Sequence, residues 1–404
     1  DSSLGDAAAS LGLHGGTLWT IADLASDRAV EQTGDGTFST NVLTTLDLTG
    51  VVSGAGGLAK DGGGTLVLTG ANGYAGGTTV NAGTLLVNGD QSAATGLTGV
   101  VLGATLGGSG TIGGDVAIAD GATLAPGNSP GTLTIAGNLS LSSASILDFE
   151  LGAADVVGGA LNDLVNVGGD LVLDGTLNVS VPTGGDFGAG VYRLFNYGGA
   201  LTDNGLNLRT LPAGATPTLQ TSIAGQVNLV NTAGLALNFW DGAAGPKFNG
   251  VVDGGDGVWQ SDMGNDNWTD AAGAVNAVYA DGAFAIFQGS GGNVTVDNGL
   301  GTVTASGLQF AVDGYEIGGD ALTLTGVRAD VRVGDGSAAS ADMTATIGAA
   351  MTGTARLVKT DAGTLVLSGI NSYTGGTAIE GGTLAISADA NLGDAAGGVG
   401  LGSG

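Results

Sequence analysis

The chain has 404 residues, of which 82 are Gly, 6 Pro and none Cys, and 37 acids against 9 bases give it a formal charge of −28. Glycine at this level without a Gly-X-Y period excludes collagen, and a 43% hydrophobic content excludes a disordered chain. The charge excludes nucleic acid and anionic lipid as partners; the missing thiols remove disulfides and thiolate metal sites, and they favour an exported chain.

Aromatic residues are only 5%, so the core is expected to be narrow and built from Leu, Val, Ile and Ala. No leader peptide opens the sequence and no run of about 18 apolar residues spans a membrane. The sequence reads as a mature segment cut at both ends. The stretch 4–13 is short, is broken by Gly5 and Gly12, and predicts at most a turn of helix.

Residues 16–21, 37–43 and 45–50 read as strands separated by Gly or Asp-Gly, with alternation at Phe38, Leu46 and Leu48. From residue 57 the spacing becomes regular. Thr-Leu pairs at Thr65, Thr84, Thr105 and Thr123 recur every 18 to 21 residues, with Gly-rich corners between them. A period near 20 with short strands is that of one coil of a parallel β-helix, which predicts an all-β solenoid. Hairpin pairs in a meander would not require the same side chains at that period. Strand alternation puts either Leu66 and Leu68 or Thr65 and Val67 in the core. Asn72, Asn81, Asn88 and Asn371, at corners, are expected to bridge coils through side-chain amide ladders.

Downstream, Pro126-Gly-Asn-Ser-Pro-Gly131 predicts a double turn. Strands follow at 139–141, 146–151, 164–167, 171–173 and 177–179, then the aromatic strand 191–197, and Pro212 and Pro217 flank a looser connection. Residues 238–290 shift in composition and hold Trp240, Trp259 and Trp268 among many aspartates. This predicts the same helix with longer loops or a small protrusion. Coils then resume, which divides the chain into 1–237, 238–290 and 291–404.

The segment 57–89 returns at 356–388 with about half its positions identical, Lys60 matching Lys359, Asn72 matching Asn371 and Tyr74 matching Tyr373. Ser3-Leu-Gly-Asp-Ala-Ala likewise matches Asn391-Leu-Gly-Asp-Ala-Ala. The pattern Gly-x-Leu-x-Lys, Gly-Thr-Leu-x-Leu-(Ser/Thr)-Gly-x-Asn-x-Tyr-x-Gly-Gly-Thr, then Gly-Thr-Leu, is complete in the first copy. The second departs from it only at Ala355. Both copies resemble the passenger-associated transport repeat of autotransporters, the type V secretion family. The segments 126–135, 188–197 and 239–242 also resemble stretches common in such passengers.

The resemblance implies a right-handed parallel β-helix, exported to a Gram-negative cell surface, anchored through an outer-membrane β-barrel translocator or released. That barrel partner is not in this sequence. It further implies a surface stalk or adhesin, with repeats that promote export and folding and with host-surface or glycan ligands. A self-associating or filament-forming protein is the alternative, suggested by the head-to-tail match and opposed by −28 per chain. A polysaccharide-degrading β-helix enzyme ranks behind both.

No residue is assigned to catalysis, cofactor binding or metal binding. His14, the single histidine, is expected to be a solvated turn residue rather than a triad member. Asp253, Asp256, Asp262, Asp266 and Asp270 match no calcium loop and are expected as solvated carboxylates. Lys247 alone lies near those acids in sequence; Arg193, Arg209, Arg328 and Arg332 are distant from them. The three tryptophans are expected to fill or cap a wider stretch of core rather than to stack on sugars. Lys60 and Lys359 are expected to lie along the stack with their ammonium groups on Asp61 and Asp361, and Tyr74 and Tyr373 to cover a coil edge.

Overall fold

The computed structural model describes residue 4, residues 9–215 and residues 217–401. Within them almost every element is a short strand, and the helical elements are 3-10 turns such as Ala338–Asp342 and Asp389–Leu392. The chain forms two compact units, Asp1–Ala233 and Gly234–Gly404. Each is a parallel β-helix.

In the first unit every third strand pairs in parallel with the one a coil away, which makes three sheet faces. One nine-stranded face runs from Leu24–Ser26 through Thr45–Leu48, Thr65–Leu68 and Thr84–Val87 to Asn207–Thr210. Its register aligns Leu24, Leu46, Leu66, Leu85, Leu106, Leu124, Leu147, Leu177 and Leu208 in one column. The strand pattern alternates half-exposed and buried, so Leu66 and Leu68 point inward and Thr65 and Val67 outward. Side-chain period 2 fixes this choice, because a slip of one residue would expose the whole column. That column is why Thr-Leu recurs once per coil.

The stack changes at the end of this unit. Gly190–Tyr197 pairs in parallel with Leu164–Val167 but antiparallel with Gln226–Asn231, which in turn takes Thr218–Gln220 antiparallel. The expected loose connection around Pro212 and Pro217 is the link into this hairpin.

The second unit begins in the Trp-rich segment. Phe239–Trp240 starts one sheet and carries two short antiparallel additions, Trp268–Thr269 and Asn276–Ala277. The same sheet continues in parallel through Phe284–Phe287, Gly307–Phe310, Arg328–Val333, Arg356–Thr360 and Thr377–Ile379. The segment 238–290 therefore shares one core with the coils after it: Trp240, Trp259 and Trp268 cluster with Phe287, Leu308 and Ile317.

The corners explain the charge. An amide at a coil corner often has no carbonyl opposite it, and an aspartate of the preceding coil accepts its hydrogen. Asp23 accepts from Thr45 N at 2.8 Å, Asp35 from Gly57 N at 2.7 Å, Asp256 from Asn293 N at 2.7 Å and Asp313 from Thr344 N at 2.7 Å. Along one corner the bonds chain together, from Asn138 N to Asp115, from Asp170 N to Asn138 and from Ala200 N to Asp170. The expected amide-on-amide ladder at Asn72, Asn81, Asn88 and Asn371 is thus corrected. Asn72, Asn88 and Asn371 accept main-chain N–H groups of Val52, Ser109 and Met351, and Asn81 donates to Asp61. A side-chain oxygen that reaches a backbone donor satisfies a group that the sheet leaves open, whereas two amides would satisfy only each other.

Candidate functional site

Each repeat copy builds the same corner around a buried lysine. Lys60 lies on Leu58–Asp61 two residues after Leu58, on the inward face, and its side chain is fully buried. Its ammonium donates to the carbonyls of Asp61 at 2.8 Å, Gly62 at 2.8 Å and, one coil on, Ala82 at 3.0 Å. Lys359 repeats this with Thr360 at 2.8 Å, Asp361 at 2.9 Å and Gly381 at 3.1 Å. The expected surface pairs with the Asp61 and Asp361 carboxylates do not form. All three donors go to main-chain oxygens of two successive coils, and the Asp361 carboxylate accepts from Arg332 instead. Burial pulls both amines down to about 8, against the pull of Asp61 and Asp361 upward.

The backbone at these corners is built to receive the ammonium. Gly62 sits at φ 73° and its counterpart Asp361 at φ 64°, so both turn their carbonyls the same way. Gly83 and Gly382 sit at φ 67° and 65°, and a Cβ at Gly83 would lie 2.3 Å from Gly64 O and 2.9 Å from Lys60 Nζ. Only glycine fits there.

Around this corner the repeat adds two more ties. Asn371 accepts from Met351 N at 2.7 Å and donates to Asn391 O at 2.7 Å, bridging three coils. Tyr74 and Tyr373 are not edge covers: both are buried, and each hydroxyl meets a threonine, Thr78 or Thr377, at 2.6 Å. Burial raises both phenol pKa values.

The remaining candidates fall elsewhere. Trp240, Trp259 and Trp268 are fully buried, with Trp259 and Trp268 rings 5.1 Å apart and Trp268 4.5 Å from Tyr279, which supports the core role expected for them. Asp253 accepts from Asn249 at 2.6 Å, Asp270 caps Ala274 N at 2.8 Å, and the nearby Lys247 ammonium donates to the Asp241 and Gly242 carbonyls. Among the described residues no cluster of acids or His places three metal ligands together. His14 is exposed at a strand end with Nδ1 against the Thr33 hydroxyl. Arg193 bonds Asn228 and Asn196, Arg328 bonds Asp330 and Glu380, Arg332 bonds Asp361, and Arg209 is exposed. Arg328 and Arg332, in the same unit as the Asp253–Asp270 acids, are committed to Asp330, Glu380 and Asp361. The matched 3–8 segment lies largely outside the described residues.

Sequence reasoning missed one carboxylate. Asp163 is buried under the 126–131 turn and accepts Gly131 N and Glu150 N, each at 2.7 Å. Burial raises its pKa to about 7, overcoming the two N–H groups that oppose the rise. Its neighbour Asn162 signals the same turn-locking role by bonding Gly152, Ala153 and Val156.

Comparison with known proteins bears on this geometry directly. The family model of the passenger-associated transport repeat matches residues 58–87 and 357–386, the two segments that carry the buried-lysine corner. The chain is also similar to the "Adhesin BmaC autotransporter" of Brucella suis biovar 1 (strain 1330), 58% identical over 280 residues. That match covers 69% of this chain and 8% of the adhesin's length. Coil-by-coil stacking, two matched repeats and this relative together place the chain among the autotransporter passenger domains.

Proposed function

We propose that the chain is part of a surface-displayed adhesive stalk, held outside a Gram-negative cell, in which the repeats promote export and folding. The observation that carries this reading is the lysine corner. It joins two successive coils through main-chain oxygens, so it is complete only when both coils are stacked. A solenoid gains stability coil by coil from nearest-neighbour contacts, and a coil that forms outside a pore resists being drawn back through it. Such a corner makes the repeat a place where stacking starts. Binding to host surfaces or glycans is then a property of other coils, because the repeat's polar groups are committed to the stack. The reading assigns the chain recognition rather than a reaction.

The test is expression of the full-length protein with and without residues 356–388. Surface labelling and protease resistance of the displayed passenger should both fall in the deletion; unchanged display with unchanged resistance would remove the repeat from export. Adhesion of the displaying cells, compared with cells lacking the protein, tests the adhesive half separately.

A further inference from the structure

We propose that one corner of the first unit is a docking surface for a basic protein partner that presents an apolar side chain among lysines or arginines. The inference rests on the adhesive reading and names the chemistry of what is bound. Trp19, Ile21, Val42 and Leu43 expose 64%, 69%, 70% and 95% of their surface. They are contiguous: Thr17–Thr20 pairs with Gly36–Thr40 so that Trp19 sits beside Ser39, and Asn41 N bonds Thr20 O at 3.1 Å. Trp19 Nε1 donates to Asn41 Oδ1 at 3.1 Å, which holds the indole over the turn that carries Val42 and Leu43. That turn is closed by Thr44 N on Asn41 O at 3.1 Å.

Two features set the corner apart from scattered surface leucines. Leu43 occupies φ 64°, a region where a leucine is strained and where glycine or asparagine fits without cost, yet its side chain stands in solvent. An apolar side chain held at a strained, exposed site, beside an aromatic ring fixed by its own hydrogen bond, is the build of a preorganised contact. The surrounding charge selects the partner. Asp23 lies two residues after Ile21 and bonds Thr45 N, Asp47 follows on the same strand, and Asp61 shares the row of Trp19 and Ser39. The bases of this part, Arg28 and Lys60, are both buried. The rim is therefore acidic, which opposes a second copy of a chain carrying −28 and favours a cationic surface.

Trp19 supplies its own reporter, because the other three of the four tryptophans are fully buried. The probe is a short amphipathic helical peptide of leucine and lysine, added to the folded chain while Trp19 quenching by acrylamide is followed. Protection of Trp19 is expected, weakening with added salt and weakening at least tenfold in V42N and in L43N, the latter leaving the turn geometry intact. The proposal is overturned if the peptide gives no protection, if a leucine–glutamate peptide protects equally, or if L43N binds as wild type. Sedimentation showing a wild-type dimer that L43N dissociates would overturn it in favour of self-association. Displayed L43N that loses the peptide but keeps cell adhesion would uphold the docking surface and place adhesion elsewhere on the protein.

Discussion

Replacing Lys359 by Met keeps the length and apolar stem of the side chain and removes the ammonium. The three carbonyls it satisfies, Thr360, Asp361 and Gly381, are left without that donor. A hydrogen bond from a charged donor contributes about 1.5–3 kcal/mol, and the three together are offset by the cost of holding an amine in the core. That cost is real here, since burial lowers the pKa from 10.5 to about 8. A net loss of about 3 kcal/mol is expected, local to the coils that Lys359 joins. Whole-chain melting is a blunt readout for a solenoid whose coils open separately. Hydrogen exchange of the strands Thr377–Ile379 and Thr383–Ile386 reads the loss directly, as exchange roughly 100-fold faster than wild type. The exposed Arg328–Glu380 pair is the contrast, and R328Q should change exchange by less than about 1 kcal/mol. Equal protection in K359M and wild type would refute the claim that the lysine joins coils.

A glycine of the same corner gives a second expectation. Gly382 sits at φ 65° with a Cβ position 2.4 Å from both Asp361 O and Gly363 O, so G382A should open the same coil more than K359M does, seen as a new protease cut near 380. A cut pattern identical to wild type would contradict the packing. Asp163 gives the pH dependence. Its folded pKa, about 7, lies above its ordinary value of 3.8, so the folded turn holds a proton that the unfolded chain releases. The stability it contributes is full below pH 4 and is lost as pH rises through 7. Glu150, whose own N–H bonds the Asp163 carboxyl, shares the direction by repelling the ionised form. Amides of the 126–131 turn, corrected for intrinsic exchange, should protect better at pH 5 than at pH 8, and D163N should flatten that difference. A flat wild-type profile would refute it.

The coil was legible in the sequence because it repeats. Thr-Leu at intervals of about 20 is the imprint of one leucine column. Trp240, Trp259 and Trp268 were legible as core because they are grouped in one segment, and they share one buried cluster with Tyr279 and Phe287. The lysine was misplaced although its signal was present: Leu58 and Lys60 are two apart and so share a face. Charge argued for the surface and periodicity for the core, and periodicity won because three carbonyls meet the ammonium there. The corner aspartates were not legible at all. Their role depends on which backbone amides a coil leaves open, and that is set by the corner's path rather than by local sequence. The exposed turn at Leu43 was hidden for the same reason, because its φ of 64° follows from the fold.

We propose that the repeat starts stacking outside the cell. The most direct measurement introduces K359M and G382A together into the full-length protein and follows surface exposure and protease resistance of the passenger after a pulse of synthesis. The doubly substituted passenger is expected to arrive more slowly and stay protease-sensitive for longer, while R328Q behaves as wild type. Arrival and resistance at wild-type rates in the double variant would contradict it.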